Sequence, residues 1–134
     1  MIITNLKSQN TGRSLPNQKI MTVDTPCGRV YLFQSYKIPI SFIVFTPYGR
    51  YFIETSTAYS HKITTYQNQF RKSFLLNFPY FKVDNIGQWI RALNSPAQFK
   101  ELIQTQKDCR VERRSQNVMH FIQKLQGGNS NETY

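Results

Sequence analysis

The chain has 134 residues, of which 40% are hydrophobic and 14% aromatic, and this is enough apolar material for one core without metals or disulfides. Seventeen Lys and Arg against seven Asp and Glu give a formal net charge of +10, which attracts polyanions. The longest apolar stretch, residues 38–46, is far shorter than the roughly 20 residues that a membrane-spanning helix needs. We therefore expect no membrane span, no secretion signal and a cytoplasmic location. Cys27 and Cys109 are expected to be reduced thiols there, and a disulfide or a reactive thiol is the alternative.

The first half of the chain has the pattern of β-strands. Residues 1–17 are polar and rich in turn-forming residues, and we expect a flexible arm there with no assigned structure. From Gln18 onward, four segments rich in β-branched and aromatic residues alternate with turns, namely KIMTVDT, RVYLFQSY, IPISFIVFT and RYFIET. They predict an antiparallel meander. Its third strand is apolar on both faces, which favours a central position or a covering of helices.

After Glu54 the apolar pattern changes from a period of two to a period of about 3.6 residues. The residues that recur at helical spacing are Tyr59, Ile63, Tyr66, Phe70 and Phe74. They predict a helix that Ser56 or Thr57 caps and that ends near Asn77.

Shorter elements follow. Residues 78–85 predict a further strand or extended segment, and Asp84 or Asn85 then caps a short helix. The Ser95-Pro96 pair is typical of a helix start. The Ser95 hydroxyl can cap the helix, and Pro96 has no amide hydrogen at a position where that hydrogen would be unpaired in any case. This helix is predicted over 96–107.

The end of the chain predicts one more helix and a tail. Asp108 begins a last helix, and the glycine pair at 127–128 ends it. Strands first and helices afterwards indicate an α+β class. We predict a single α+β domain over 18–126, in which an antiparallel β-meander of about four or five strands is followed by and packed against three or four helices. Residues 127–134 are predicted to be a disordered tail.

No catalytic or metal-binding motif is recognisable in the sequence. His61 and His120 lie far apart, the seven carboxylates never form a close pair, and no Cys or His pair has metal-ligand spacing. The six glycines form no phosphate-binding loop. We expect a protein that is not an enzyme and that uses no metal and no cofactor. An active site built from dispersed residues stays open as the alternative.

Two basic groups are candidate polyanion-binding sites. In the last helix, Arg110, Arg113 and Arg114 share a broad face, with Lys107 one turn before them. Arg side chains bind phosphates and base edges, although a solvated helix face explains the same pattern.

The second basic group joins the first helix to a hairpin. It consists of Lys62, Arg71 and Lys72 together with Arg50 of the aromatic segment PYGRYF. Interleaved Tyr and Arg stack on bases and meet phosphates in single-strand binding proteins. Packing in the core is the alternative explanation for these aromatic rings.

Two segments of the sequence, FQSYKIPISF and YSHKITTYQNQF, carry a resemblance to known proteins. The residues involved are Ser35, Tyr36, Ile40, Tyr59, Ser60, Asn68 and Phe70. Over about residues 32–85 the chain resembles a family of small uncharacterised proteins encoded by phages and plasmids, whose members pair a Ser-Tyr strand with a later Tyr-Ser, Thr-rich segment. The resemblance implies origin in a mobile element and no particular activity.

Two functional hypotheses follow. The first is a non-enzymatic protein that binds DNA or RNA through Arg and Lys of the last helix and of the 62–72 helix. The alternative is a phage or mobile-element protein that binds the acidic surface of a host protein, such as a nuclease or polymerase, and inhibits or modulates it. A monomer and a homodimer are both compatible with the sequence.

Overall fold

The structure is a computed structural model and describes residues 1–74 and 80–107. Its strands are β1 (Ile2–Lys7), β2 (Ser14–Thr25), β3 (Gly28–Ser35), β4 (Ile38–Thr46), β5 (Gly49–Thr55) and β6 (Tyr80–Val83). Its helices are α1 (His61–Lys72), α2 (Ile86–Ala92) and α3, which covers 96–107. The chain divides into two compact units, 1–99 and 100–134. Of the second unit, residues 100–107 are described, and they are helical.

The six strands form one sheet in which the spatial order equals the chain order. Neighbours from β1 to β5 are antiparallel, whereas β6 runs parallel to β5, with Ile53 beside Phe81. A parallel pair needs a crossover connection, and α1 lies in it. The prediction of an α+β class is confirmed. The prediction of a purely antiparallel meander of four or five strands is wrong, because the return through α1 gives β6 the direction of β5 and makes the sheet mixed.

The N-terminal residues contain strands that the sequence analysis did not assign. Within residues 1–17, β1 pairs with β2, and Ile2 lies opposite Thr22. Only Leu6 of β1 is buried, so the segment lacks the alternation that marks a half-buried strand. The proposed domain boundaries at 17 and 127 remain predictions.

One face of the sheet packs against α1. Phe33, Ile43 and Phe52 lie on three neighbouring strands and are buried with Phe70 of α1. The ring centroid of Phe70 is 5.6 Å from that of Phe33 and 5.8 Å from that of Phe52. Each fully buried side chain of this size contributes roughly 2–3 kcal/mol. This cluster holds α1 in a fixed position on the sheet.

The opposite face packs against α2. Trp89 of α2 stacks on Phe81 of β6 with a centroid distance of 6.3 Å, and Phe99 meets Trp89 edge-on at 5.9 Å. Residues 40–44 of β4 are therefore fully buried from both sides of the sheet. The prediction that this strand is central or covered on its second face is confirmed.

The start of α1 differs from the prediction. Ser60 caps the helix, and its Oγ accepts a hydrogen bond from the amide of Ile63 at 3.1 Å. Ser56 does not cap, because its amide donates to the carbonyl of Val83 and its hydroxyl to Asp84, so it continues the pairing of β5 with β6. The helix also ends earlier than predicted, at Lys72 with Ser73 as its C-cap, and Asn77, the predicted end, lies outside the described residues.

The caps of the later helices agree with the sequence. Asn85 is the N-cap of α2, and its side chain accepts from the amide of Gln88. Ser95 accepts from the amide of Gln98 at 3.4 Å, as the Ser95-Pro96 pair predicted. Short polar residues before each helix bind amides that have no partner within the helix.

Candidate nucleic-acid interface

The last-helix group of the sequence analysis cannot be placed. Arg110, Arg113 and Arg114 lie outside the described residues. Lys107 is described, and it is exposed at the end of the helical segment 100–107. Its role in polyanion binding remains a prediction.

Arg71 is turned toward the sheet. Its guanidinium donates to the hydroxyl of Tyr80 and to Oδ1 of Asn68, both at 2.7 Å. The hydroxyl of Tyr80 in turn donates to Glu54 Oε1, which lies 3.7 Å from the guanidinium. Glu54 is 2% exposed. The positive charge of Arg71 therefore balances a buried carboxylate, which leaves it poorly placed to bind a phosphate.

Lys72 is the last residue of α1, and a chain of ring contacts links Arg50 of β5 to the same end of the helix. Phe74, just after α1, contacts Tyr31, and Tyr31 contacts Phe45. The guanidinium of Arg50 lies over the Phe45 ring at 5.2 Å. Lys62 is at the opposite end of the same helix. Of the four cations predicted as one surface, Lys62 is therefore separated along α1 from the other three.

Two adjoining grooves border the N-terminal end of α1. The hairpin groove holds about 560 Å³ and is lined by Ser8, Gln9, Asn10, Leu15, His61, Lys62, Thr65, Tyr66 and Gln69. The tyrosine groove holds about 310 Å³ and is lined by Leu15, Pro16, Gln18, Tyr36, Ser60, Lys62, Ile63 and Tyr66. Lys62 and Tyr66 line both grooves, so the two form one continuous surface.

The lining of these grooves combines cationic, aromatic and amide groups. Lys62 supplies a positive charge, Tyr36 and Tyr66 supply rings, and Asn10 and Gln69 supply side-chain amides. Among the described residues, no carboxylate lines either groove. Phosphates are attracted by such a cation, and bases stack on such rings irrespective of sequence.

Tyr36 occupies a conformation that tyrosine rarely adopts. Its φ is 56°, in the left-handed region, which costs a residue with a Cβ about 1 kcal/mol. The amide of Tyr36 donates to the carbonyl of Asn17 at 2.7 Å, and Gln34 Nε2 donates to the carbonyl of Tyr36 at 2.9 Å. These two hydrogen bonds stabilise the turn through the backbone of Tyr36. The residue is 61% exposed. The position carries an aromatic ring where Gly or Asn fits the backbone better.

The sequence analysis identified Lys62 but not its partners in the grooves. Tyr66 was assigned to the helical apolar pattern, and Tyr36 to the end of a strand. Tyr36 and Ser60, which stand in the two segments quoted for the resemblance, line the same groove.

Other candidate sites are weaker. Cys27 is a free, buried thiol, and burial raises its pKa above the ordinary value, which lowers its reactivity. Within residues 1–74 and 80–107, no three His, Cys, Asp or Glu side chains are grouped so that they could hold a metal ion. Over the same described ranges, none of the helices has the length and apolar character needed to cross a bilayer.

The structure shows an α+β protein with a mixed sheet and, at the N-terminal end of α1, two adjoining grooves lined by Lys62, Tyr36 and Tyr66. No family model, curated protein or solved structure matches the chain. Functional inference therefore depends on the geometry and chemistry of the surface itself.

Proposed function

We propose that the protein binds single-stranded nucleic acid in the hairpin and tyrosine grooves. The observation that carries this proposal is the shared lining of the two grooves, in which Lys62 stands beside Tyr66 and no described carboxylate is present. Phosphates bind to the cation while bases stack on the rings. This is the combination that sequence-tolerant single-strand binding requires.

The charge distribution supports the proposal. Residues 1–74 and 80–99 contain eleven Lys and Arg against three carboxylates. Asp24 is paired with Arg29 at 2.9 Å, Glu54 is buried, and Asp84 accepts a hydrogen bond from a serine. Little negative charge therefore opposes an approaching phosphate backbone, and the net positive charge accelerates its association.

The exposed rings favour a single strand over a duplex. Bases in a duplex are stacked on each other, so an aromatic side chain reaches a base face in unpaired nucleic acid. Tyr36 projects from the turn between β3 and β4, and Tyr59, 45% exposed, precedes the cap of α1. Both rings are available at the end of the sheet that carries the tyrosine groove.

Fluorescence anisotropy with short labelled single-stranded RNA, single-stranded DNA and duplex DNA tests the proposal. We expect tighter binding of the single strands, with an affinity that falls linearly on a logarithmic salt scale by about 0.7 per phosphate contact. Lys62→Ala should weaken binding roughly tenfold and lower the salt dependence by about one contact.

Lys82→Ala is the matched control, since Lys82 is an exposed lysine on β6, at the opposite edge of the sheet from β1. It should bind like the wild type. Absence of binding to every oligonucleotide at low salt contradicts the proposal, as does an equal loss in the two lysine variants.

A second proposal is favoured by the position of β1, which lies at the edge of the sheet and pairs only with β2 among the described strands. Ile2 and Ile3 are 64% and 52% exposed on the outermost strand, and such an edge accepts a strand from another protein. A phage or mobile-element protein that binds a host nuclease or polymerase would use it. Inhibition of such an enzyme by the wild type, lost in Ile3→Lys, supports this function, and equal inhibition by both contradicts the use of this edge.

A further inference from the structure

Gln18 lies at the floor of the tyrosine groove. It is on β2, is 4% exposed and lines the groove together with Tyr36 and Tyr66. Its Nε2 makes a long hydrogen bond, 3.5 Å, to the carbonyl oxygen of Pro16. Its Oε1 has no hydrogen-bond partner among the described residues.

A buried amide oxygen without a partner is unfavourable, because it has lost the hydrogen bonds that water would provide. Gln18 Oε1 is itself buried, so a ligand reaches it only when the atoms that cover it move aside. A hydrogen-bond donor on that ligand then replaces the lost bond to water. With the amide in this orientation, the group left unpaired is the acceptor oxygen. The missing partner at this position is therefore a hydrogen-bond donor.

The tyrosine groove is large enough to hold a ligand that supplies this donor. A volume of about 310 Å³ is at the lower end of small-molecule sites and accommodates a single nucleotide. Lys62, in the lining, provides a cation for the phosphate of that nucleotide. The aromatic lining provides a ring for its base.

We propose that the tyrosine groove holds one base that stacks on its tyrosine lining and donates its exocyclic amino group to Gln18 Oε1. This inference rests on the proposed function and adds a base preference to it. Adenine, cytosine and guanine carry such an amino group. Uracil and thymine have a carbonyl oxygen in its place. That oxygen and Gln18 Oε1 are both acceptors, so they cannot form a hydrogen bond with each other.

Cytosine and uracil form the sharpest comparison, because the two pyrimidines have equal size and differ at the hydrogen-bonding edge. Anisotropy titrations with short oligocytidine and oligouridine should show roughly tenfold tighter binding of oligocytidine by the wild type. Oligocytidine with two methyl groups on each amino nitrogen has no donor there, and it should bind as weakly as oligouridine.

Gln18→Met keeps the side-chain length and removes the amide. We expect it to bind both oligonucleotides with similar affinity, near that of the wild type for oligouridine. Ser35→Ala is the matched control, because Ser35 lies opposite Gln18 in the β2–β3 register, is buried and has a hydroxyl without a partner among the described residues, yet it is outside the groove lining. It should keep the preference for cytosine.

The outcomes separate this inference from the proposed function. Binding of both oligonucleotides with equal affinity by the wild type overturns the base preference and leaves single-strand binding intact. A preference that persists in Gln18→Met, or with the dimethylated oligocytidine, also overturns it. Absence of binding to either oligonucleotide contradicts the proposed function. The methylated probe uses the wild-type protein, so the test holds even where Gln18→Met fails to fold.

Discussion

The guanidinium of Arg71 lies 3.7 Å from the carboxylate of Glu54, and it connects α1 to the C-terminal end of β5. The carboxylate is almost fully buried, whereas the arginine side chain is 34% exposed. A buried carboxylate is stable when a cation and hydrogen bonds compensate for the lost water. Arg71 therefore acts as a structural residue of the α1 face.

Removal of the positive charge of Arg71 should destabilise the fold. We expect Arg71→Met to lower the free energy of unfolding by about 2–4 kcal/mol, because Glu54 is left buried without its countercharge. Lys72→Met, at the exposed neighbouring position, should change it by less than about 0.5 kcal/mol. Urea denaturation measures both values. Equal stability of the two variants would show that Arg71 is dispensable for the fold.

Tyr80 should make the stability of the fold sensitive to alkaline pH. Burial, together with the hydrogen bond to Glu54, raises the pKa of Tyr80 from 10.0 to about 12. The folded state therefore favours the neutral phenol. The stability that this group contributes is complete below pH 10 and is lost as the pH rises through 12.

Tyr80→Phe removes this titration. The difference in free energy of unfolding between the wild type and Tyr80→Phe should shrink as the pH rises above 10, the ordinary pKa of tyrosine. Lysine titration in the same range affects both proteins equally, so the comparison isolates the phenol. Parallel pH profiles for the two proteins argue against a perturbed Tyr80.

Substitution of Tyr36 should change the stability of the fold and the affinity for single strands in opposite directions. Tyr36→Asn places a residue that tolerates a positive φ in the turn, and we expect it to raise the free energy of unfolding by up to about 1 kcal/mol. The same change removes an exposed ring and should weaken single-strand binding roughly tenfold.

Tyr48→Asn is the matched control for this exchange. Tyr48 is 74% exposed in the turn between β4 and β5, at the other end of the strands, and its φ is not positive. This variant should bind like the wild type. Thermal unfolding and anisotropy provide the two measurements, and a Tyr36→Asn variant that binds normally would exclude Tyr36 from the interface.

Gly28 should be intolerant of any side chain. Its φ is +139°, and a Cβ built at this position would lie 2.0 Å from the carbonyl oxygen of Phe45. We expect Gly28→Ala to destabilise the fold by about 3 kcal/mol or more, since backbone must move. Gly12→Ala, with φ +69° and open space around the site, should cost about 1 kcal/mol. Chemical denaturation ranks the two variants, and similar losses would contradict this account.

The parts of the fold that the sequence predicted are those set by local patterns. Alternation and turn residues located β3, β4 and β5, and helical spacing located α1. The direction of β6 was not predictable, because the four residues from Tyr80 to Val83 carry no mark of whether their neighbour is parallel. β1 was missed because both of its faces are largely exposed, so its pairing with β2 depends on backbone hydrogen bonds.

For the candidate site, too, the sequence could indicate only what a local pattern carries. Charge and exposure singled out Lys62, and the structure places it in both grooves. Arg71 has the same charge in the sequence, but its neighbour Glu54 lies 17 positions earlier and becomes a partner only through the packing of α1 on the sheet. Gln18 carries no distinguishing pattern in the sequence. Its significance depends on a missing hydrogen bond, which only coordinates reveal.

The sheet order from β1 to β6 has a consequence for synthesis in the cell. Each strand that emerges from the ribosome finds its pairing partner already made, directly before it in the chain or, for β6, one helix earlier. None of the six described strands has to wait for a distant segment, so each of them stays without a neighbour only briefly. The sheet is therefore suited to growth from its N-terminal edge while translation continues.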